Sequence, residues 1–416
     1  MSSADAVNPK GLLRVSGRAA NWIITSVVCL VVLRPHPETG NPWIDVFLGD
    51  IVLVPIIGGL WMMQIYAGKL CGLLLAPVAL ACWLTFIILF QSGQIDAQRA
   101  ITLVYLVAAL QSLLWLSISQ SPATPHLRRR LHIALAICLA IAVTQALGIN
   151  PLGMIGTIFG EVKLRPIESG SNFRVYGTYY NANWAGCAAC CWVSLIWLEI
   201  ITNPSRTLRW LLLLLAPLLF LLMTGSRSAM FAVCPMLVMG FVWTLLSFPR
   251  AAVYAIALCA AVGLLVFQID MSWLWDQDFA SRWVTIAQPM EQYSFLARVD
   301  LWNSALNIWL SAPFVGVGRL SEDDLPHNAF LSVLCAVGLL GAIAFVAAVL
   351  AVVGPFLQRR GFRIWWLGTA CTLSIMFATG DLIWSTQVSL TVVLLLCAGA
   401  SAPPIRRQGS LFISKG

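Results

Sequence analysis

Two kinds of side chain that can do chemistry recur in the polar segments between the apolar runs of this sequence. Histidine can act as a general base near neutral pH, and His327 follows Pro326 at the start of an apolar run. Arginine binds phosphate groups through a planar fork of donors, and Arg174, Arg227 and Arg298 lie in or beside polar segments. The combination predicts a site where an anionic ligand meets a general base.

Arg227 stands in a very short turn, Thr-Gly-Ser-Arg-Ser at 224–228, between two apolar runs. Ser226 can cap the helix that follows, whose free N–H groups and positive dipole end favour an anion. A cation in that first turn is unfavourable for the helix alone, and an anionic ligand removes the conflict. We interpret Arg227 as a diphosphate-binding residue; a bridge to a loop carboxylate is the alternative.

A second polar segment, residues 150–183, ends in Arg-Val-Tyr-Gly-Thr-Tyr-Tyr-Asn-Ala-Asn, from Arg174 to Asn183. An arginine beside an apolar run needs an anionic partner, and a phosphate is one such partner. The tyrosines and asparagines have two open roles. They can form an interfacial aromatic belt with helix caps, or they can contact a ligand.

The longest polar segment, residues 270–326, contains a stretch with helical periodicity. Between 298 and 311 the apolar residues Val299, Trp302, Leu306 and Trp309 recur at helical spacing. This pattern predicts an amphipathic helix that lies on the membrane.

His327 ends this segment. Gly316 and Gly318 allow the chain to turn back after the predicted amphipathic helix. Because proline suits the first turn of a helix, we expect Pro326 and His327 to lie in the first turn of the next one. The helix dipole would there favour a neutral imidazole, which can accept a proton from a hydroxyl group.

The sequence favours neither a metal nor a cofactor. The acidic run 322–324 could bind a divalent cation, but arginines occur in the same segment at Arg282, Arg298 and Arg319, so we expect ion pairs instead. All twelve cysteines fall inside predicted spans and are interpreted as packing residues. The C-x-x-C spacing at 187–190 has no second ligand cluster, which argues against zinc.

Composition places these residues in a membrane protein. Of the 416 residues, 60% are hydrophobic and 10% are charged, whereas soluble domains carry about 25% charged residues, and the mean hydropathy is +0.86. We therefore predict an all-α polytopic membrane protein, one transmembrane domain over 1–416 with about twelve spans. The spans are predicted at 19–33, 44–66, 70–90, 100–118, 131–149, 184–202, 208–224, 228–247, 251–269, 327–353, 361–379 and 382–400.

The charge distribution predicts the orientation. With both termini in the cytoplasm, most of the twenty-five basic residues lie on the inner side, and all seventeen acidic residues except Asp5 and Glu199 lie on the outer side. Residues 150–183 and 270–326 are then loops on the outer side. The net charge of +8 follows from this topology and gives no reason to expect nucleic acid. We expect Arg128 to Arg130 to contact lipid headgroups.

Four short motifs in order resemble the bacterial O-antigen ligase and polymerase superfamily. They are Arg174-Val-Tyr-Gly with Asn181-Ala-Asn183, Thr224-Gly-Ser-Arg-Ser-Ala, Arg298-x3-Trp302 leading to Pro313-x2-Gly-x-Gly, and His327-Asn-Ala-Phe330. The resemblance covers roughly residues 150–350. Members are glycosyltransferases of the inner membrane that use undecaprenyl-diphosphate-linked glycans.

The resemblance implies a GT-C-type, inverting and metal-independent transfer at the periplasmic face. Arg174 and Arg227 would hold the lipid diphosphate, with Arg298 as a further contact. His327 would deprotonate the acceptor hydroxyl. Residues that could contact the acceptor or the glycan are Tyr176, Asn183, Trp302 and Asn328.

The acceptor separates the remaining hypotheses. Lipid A–core oligosaccharide as acceptor would make the protein an O-antigen ligase in lipopolysaccharide biosynthesis, and we favour this because one dominant outer loop carries the histidine. Another lipid-linked repeat unit as acceptor would make it a polymerase. The second long loop makes this alternative almost as favoured as the ligase. A transporter or flippase would carry its ionisable residues near the middle of the membrane, whereas these lie at outer span ends.

Overall fold

The computed structural model describes residues 17–33, 42–66, 75–90, 97–119, 124–147, 149, 175–179, 181–247, 253, 293–318, 326–357, 363–380 and 382–402. Regular structure in these ranges is helical throughout. The α-helices are α1 (Gly17–Val32), α2 (Pro42–Tyr66), α3 (Leu75–Phe90), α4 (Ala97–Ser119), α5 (Thr124–Ala146), α6 (Ala182–Thr202), α7 (Thr207–Leu213), α8 (Leu215–Thr224), α9 (Arg227–Ser247), α10 (Tyr293–Ser311), α11 (Ala329–Leu357), α12 (Arg363–Ala378) and α13 (Thr386–Ala400). Short 3₁₀ helices occupy Pro204–Arg206 and Leu382–Trp384.

The predicted all-α polytopic architecture is confirmed. Each predicted span other than 251–269 coincides with a helix, or with the pair α7 and α8; residues 251–269 lie outside the described ranges apart from Val253. Among the described residues, five helical stretches are long and apolar enough to cross a membrane, and five shorter apolar helices accompany them. The chain is a multi-pass membrane protein.

Helix α6 is the centre of the bundle. Its apolar stretch is 94% buried, against 33% for α9, and it packs against α5, α8, α9, α12 and α13. Residues of α9 such as Phe231, Val238 and Leu246 turn outward, as expected where hydrocarbon is the solvent. Cys187 and Cys190 are buried in α6, which agrees with the packing role predicted for them.

The two ends of the bundle hold different polar groups. We call the end where α6, α9 and α13 begin the upper end, and the other the lower end. At the lower end Arg128 is 8% exposed, forms an ion pair of 3.2 Å with Glu199, and donates to Thr202 Oγ1 at 3.1 Å. The expectation that Arg128 contacts lipid headgroups is therefore wrong, because Glu199, one of the two acidic residues with an inner position, neutralises it within the protein.

Helix α11 is interrupted at Gly338, where φ is 64° and ψ is −176°. The segment 313–318 fills the break. Val317 N donates to Cys335 O at 2.8 Å, while Leu339 N donates to Pro313 O at 2.9 Å. These exchanged bonds satisfy backbone groups that the broken helix leaves open, as hydrocarbon surroundings require.

Helix α10 is attached to the part of α11 above the break. Cys335 Sγ donates to Ala305 O at 3.2 Å, and both residues are fully buried. The helix predicted from the sequence is confirmed, but its packed face is centred on Ala305. Leu306, predicted to lie on the apolar face toward the membrane, is 40% exposed in the protein; the membrane position of this face stays a prediction.

We predict that Gly338→Ala strongly destabilises the protein. A Cβ at this position would lie 2.3 Å from Phe314 O, and the positive φ disfavours any L side chain. We expect a loss of about 1–3 kcal/mol or more in the free energy of unfolding, measured in detergent.

The matched control for this prediction is Gly354→Ala, in the same helix. A Cβ there meets nothing within 4 Å, so this substitution should be neutral or stabilising by up to about 1 kcal/mol. Equal stability of the two variants would show that the interlock at Gly338 is not required.

We also predict that Glu199→Leu destabilises the protein by roughly 3–5 kcal/mol, because it leaves the buried Arg128 guanidinium without its carboxylate. The double variant Arg128→Met/Glu199→Leu removes both charges and should recover most of that loss. The measurement is thermal unfolding of both variants beside the wild type. A double variant as unstable as the single one would contradict the prediction.

Candidate functional site

A polar layer at the upper end positions the candidate site. Segment 175–179 crosses this end, where the side chain of Gln145 accepts from Gly177 N at 2.9 Å and donates to Gly177 O at 3.0 Å. Thr178 Oγ1 donates to Val32 O at 2.6 Å. The segment is thereby fixed to the ends of α5 and α1.

The first turns of α6 and α9 meet beside this segment. Asn181 caps α6, since its side chain accepts from Asn183 N at 2.7 Å. Ser226 Oγ donates to Asn183 Oδ1 at 3.0 Å and accepts from Ala229 N at 3.4 Å, which confirms the predicted cap. Gly186 permits this approach, because a Cβ on it would lie 2.7 Å from the Ala229 Cβ.

Arg227 is the first residue of α9, as predicted, and it lies close enough to Arg298 of α10 for their charges to interact. Burial, and secondarily the charge of Arg227, lower the pKa of Arg298 below its usual value. Both side chains are half-buried. Among the described residues no carboxylate lies within ion-pair distance of Arg298. Two helices thus bring positive charge together at one place.

Trp302 connects α10 to the histidine segment. It follows Arg298 by one helical turn on the same face, and its indole Nε1 donates to Pro326 O at 2.8 Å. Arg298 and the residue preceding His327 are therefore both neighbours of one tryptophan.

His327 lies before helix α11 and outside its first turn. The helix begins at Ala329, and Asn328 caps it by accepting from Phe330 N at 3.0 Å and Leu331 N at 3.2 Å. The expected first-turn position of His327 is wrong, because asparagine is a preferred cap residue and takes that role. His327 is exposed and adopts a left-handed backbone with φ of 47°.

Several predicted residues lie outside the described ranges: Arg174, Arg282, Arg319 and residues 322–324. Val175, the residue after Arg174, donates its backbone N–H to Met223 O at 3.3 Å. No group of three or more His, Cys, Asp or Glu that could hold a metal occurs among the residues that the structure describes. The absence of a metal at the acidic run stays a prediction.

The tyrosines of segment 175–179 have different surroundings. Tyr176 is half-buried, and its backbone N–H donates to Gln145 Oε1 at 3.2 Å. Tyr179 is fully buried, with its hydroxyl 3.0 Å from Thr391 Oγ1 of α13. An interfacial belt is therefore the wrong interpretation for Tyr179. Sequence reasoning missed Gln145, for which the available signal was an amide in the last turn of an apolar span.

Comparison with known protein families gives a match over part of the chain. Residues 210–346, about a third of the chain, match the family model described as O-Antigen ligase. The matched segment contains Arg227, Arg298, Trp302, His327 and Asn328. No curated protein matches the chain. The family match confirms that this chain resembles the O-antigen ligase and polymerase superfamily.

Proposed function

We propose that the protein is an O-antigen ligase-type glycosyltransferase. It transfers a glycan from undecaprenyl diphosphate to a hydroxyl of lipid A–core oligosaccharide during lipopolysaccharide biosynthesis. The reaction belongs to the periplasmic face of the bacterial inner membrane, with both termini cytoplasmic, and the scaffold is of the GT-C type.

One observation carries the proposal. Arg298 is half-buried, has no carboxylate within ion-pair distance among the described residues, and has a second arginine, Arg227, as its charged neighbour. Like charges held together cost free energy unless an anion joins them. A diphosphate matches two arginine forks, and the N–H groups of the first turn of α9 add further donors.

The chemistry follows from this arrangement. His327 accepts the proton of the acceptor hydroxyl, and the freed oxygen attacks the anomeric carbon of the donor sugar. The bond from that carbon to the diphosphate oxygen breaks, so configuration inverts and undecaprenyl diphosphate leaves. Negative charge grows on the leaving diphosphate, where Arg227 and Arg298 stabilise it more in the transition state than in the ground state. Arg174 is proposed as a third contact, and no metal or cofactor takes part.

Asn183, Asn328 and Tyr176 remain proposals as glycan contacts. The Asn183 and Asn328 side-chain oxygens accept protein hydrogen bonds. Asn328 Oδ1 accepts two hydrogen bonds and therefore uses both lone pairs, but the N–H groups of an asparagine amide can donate to a sugar hydroxyl.

We predict that purified protein in detergent transfers glycan from an undecaprenyl-diphosphate donor to lipid A–core, with no loss in excess EDTA. His327→Ala should lower kcat by about 10²–10⁴-fold, because it removes a general base. Arg227→Ala should lower kcat/KM by roughly 10–100-fold, the equivalent of one charged hydrogen bond.

Matched controls are His126→Ala and Arg209→Ala, which remove an exposed histidine and an exposed arginine away from the upper end. Both should retain wild-type transfer. Lengthening of lipid-linked glycan with an unmodified core would identify a polymerase. Full activity of His327→Ala would refute the role of His327 as the general base. No reaction with either acceptor would refute the glycosyltransferase assignment.

We predict that substitution of Arg298 lowers donor affinity without lowering the stability of the protein. Arg298→Gln removes the charge repulsion with Arg227, so the free energy of unfolding should stay within about 0.5 kcal/mol of wild type or rise. Donor affinity should fall about tenfold or more. Thermal unfolding with and without donor measures both quantities, because a ligand that binds the folded state raises the midpoint by an amount that grows with the logarithm of its affinity. A loss above about 2 kcal/mol without donor would instead make Arg298 structural.

A further inference from the structure

We propose that Trp302 is a positioning residue, which acts through His327 by fixing the peptide that precedes it. The inference rests on the proposed function, because it assigns how the base of that reaction is held. The carrying contact is the hydrogen bond of 2.8 Å from Trp302 Nε1 to Pro326 O.

The backbone on both sides of His327 is anchored, whereas its own side chain is exposed. On one side Pro326 is buried and its carbonyl accepts from Trp302. On the other side Asn328 caps α11, and Asn328 O accepts from Ser332 N at 2.9 Å. His327 therefore sits between two fixed points, one held by α10 and one held by α11.

The conformation of His327 needs such anchors. Its φ of 47° lies in the left-handed region, which costs an L residue free energy and persists only where the surroundings determine it. Without the indole N–H, the peptide between Pro326 and His327 can rotate, and φ can relax to a negative value. The imidazole would then point in another direction, and a general base must lie within hydrogen-bond reach of its proton.

The same contact sets the distance between base and arginine. Arg298 precedes Trp302 by four residues on α10, so both side chains project from one face of a rigid helix. A single helix thus positions the proposed diphosphate contact directly and the base through Pro326. The sequence placed Trp302 on the apolar face of the predicted helix, and the family resemblance implied a glycan contact, whereas the role proposed here uses its N–H group.

The chain offers a matched control on the same helix. Trp309 Nε1 donates to Pro313 O at 3.0 Å, which is a similar bond to a carbonyl far from His327 in sequence. Tryptophan-to-phenylalanine substitution at either position keeps an aromatic ring and removes only the donor. The pair therefore separates loss of an indole hydrogen bond from loss of base positioning.

The experiment measures glycan transfer and amide hydrogen exchange on the full chain in detergent. Trp302→Phe should lower kcat by about 10- to 100-fold, with donor KM nearly unchanged, because misplacement affects the base and not the arginines. Trp309→Phe should keep kcat within about twofold. In the His327→Ala background, adding Trp302→Phe should leave the residual rate unchanged, since a residue that acts through His327 has nothing left to position.

Exchange of the peptide covering residues 326–331 should be faster in Trp302→Phe and unchanged in Trp309→Phe. Unchanged exchange there, an additive loss in the His327→Ala background, or a raised acceptor KM with normal kcat would each overturn the inference. The last outcome would assign Trp302 to glycan stacking. Absence of transfer by the wild type refutes the proposed function separately, because the exchange measurement does not depend on activity.

Discussion

In hydrocarbon, a backbone N–H or C=O group that leaves a helix must find another partner within the protein. The bonds within a continuous helix meet this requirement. Helix α11 is interrupted at Gly338, and the segment 313–318 supplies the bonding partners that are missing there. Leu339 and Leu340 donate to Pro313 O and Phe314 O, while Val317 and Gly318 donate to Cys335 O. The path from α10 to His327 depends on this exchange, since it attaches the segment after α10 to the helix that His327 precedes.

Two arginines of the candidate site are in positions that are unfavourable for local stability. Arg227 sits at the positive end of a helix, and Arg298 is half-buried beside it with a lowered pKa. A cation at the positive end of a helix is unfavourable for that helix alone, and an anion near both arginines would make the arrangement favourable. Contradictions of this kind between local rules and observed residues are expected at functional sites. The hydrogen bond from Ser226 to Asn183 fixes the first turns of α6 and α9 to each other.

The sequence predicted what depends on local patterns. The apolar runs predicted the spans, Ser226 was recognised as a cap, and the spacing after Arg298 predicted α10. It did not predict the break at Gly338, because glycine is common in membrane helices and the interruption depends on bonds to a segment some twenty residues earlier. The predicted first-turn position of His327 was wrong for a local reason. The preference of Asn328 for the cap position outweighed the preference of Pro326 for the first turn.

The proximity of Arg227 and Arg298 depends on the tertiary structure. The two residues lie on separate helices, and the resemblance to a family suggested a shared ligand without showing how they approach. Sequence reasoning also missed the mode of action of Trp302, since a periodic tryptophan predicts apolar packing and does not reveal the acceptor of its N–H group. Arg174 and the acidic run 322–324 lie outside the described residues and stay predictions.

The break in α11 separates the rotational registers of the two halves of that helix. In a continuous α-helix each residue is turned by about 100° from the one before, so the face of every later turn follows from the first. Here the upper half presents Cys335 to α10, while the lower half meets α3, where Trp83 Nε1 donates to Leu340 O at 3.2 Å. Each half can therefore be adjusted to its own neighbour, and changes in the membrane-embedded lower turns need not rotate the residues beside His327.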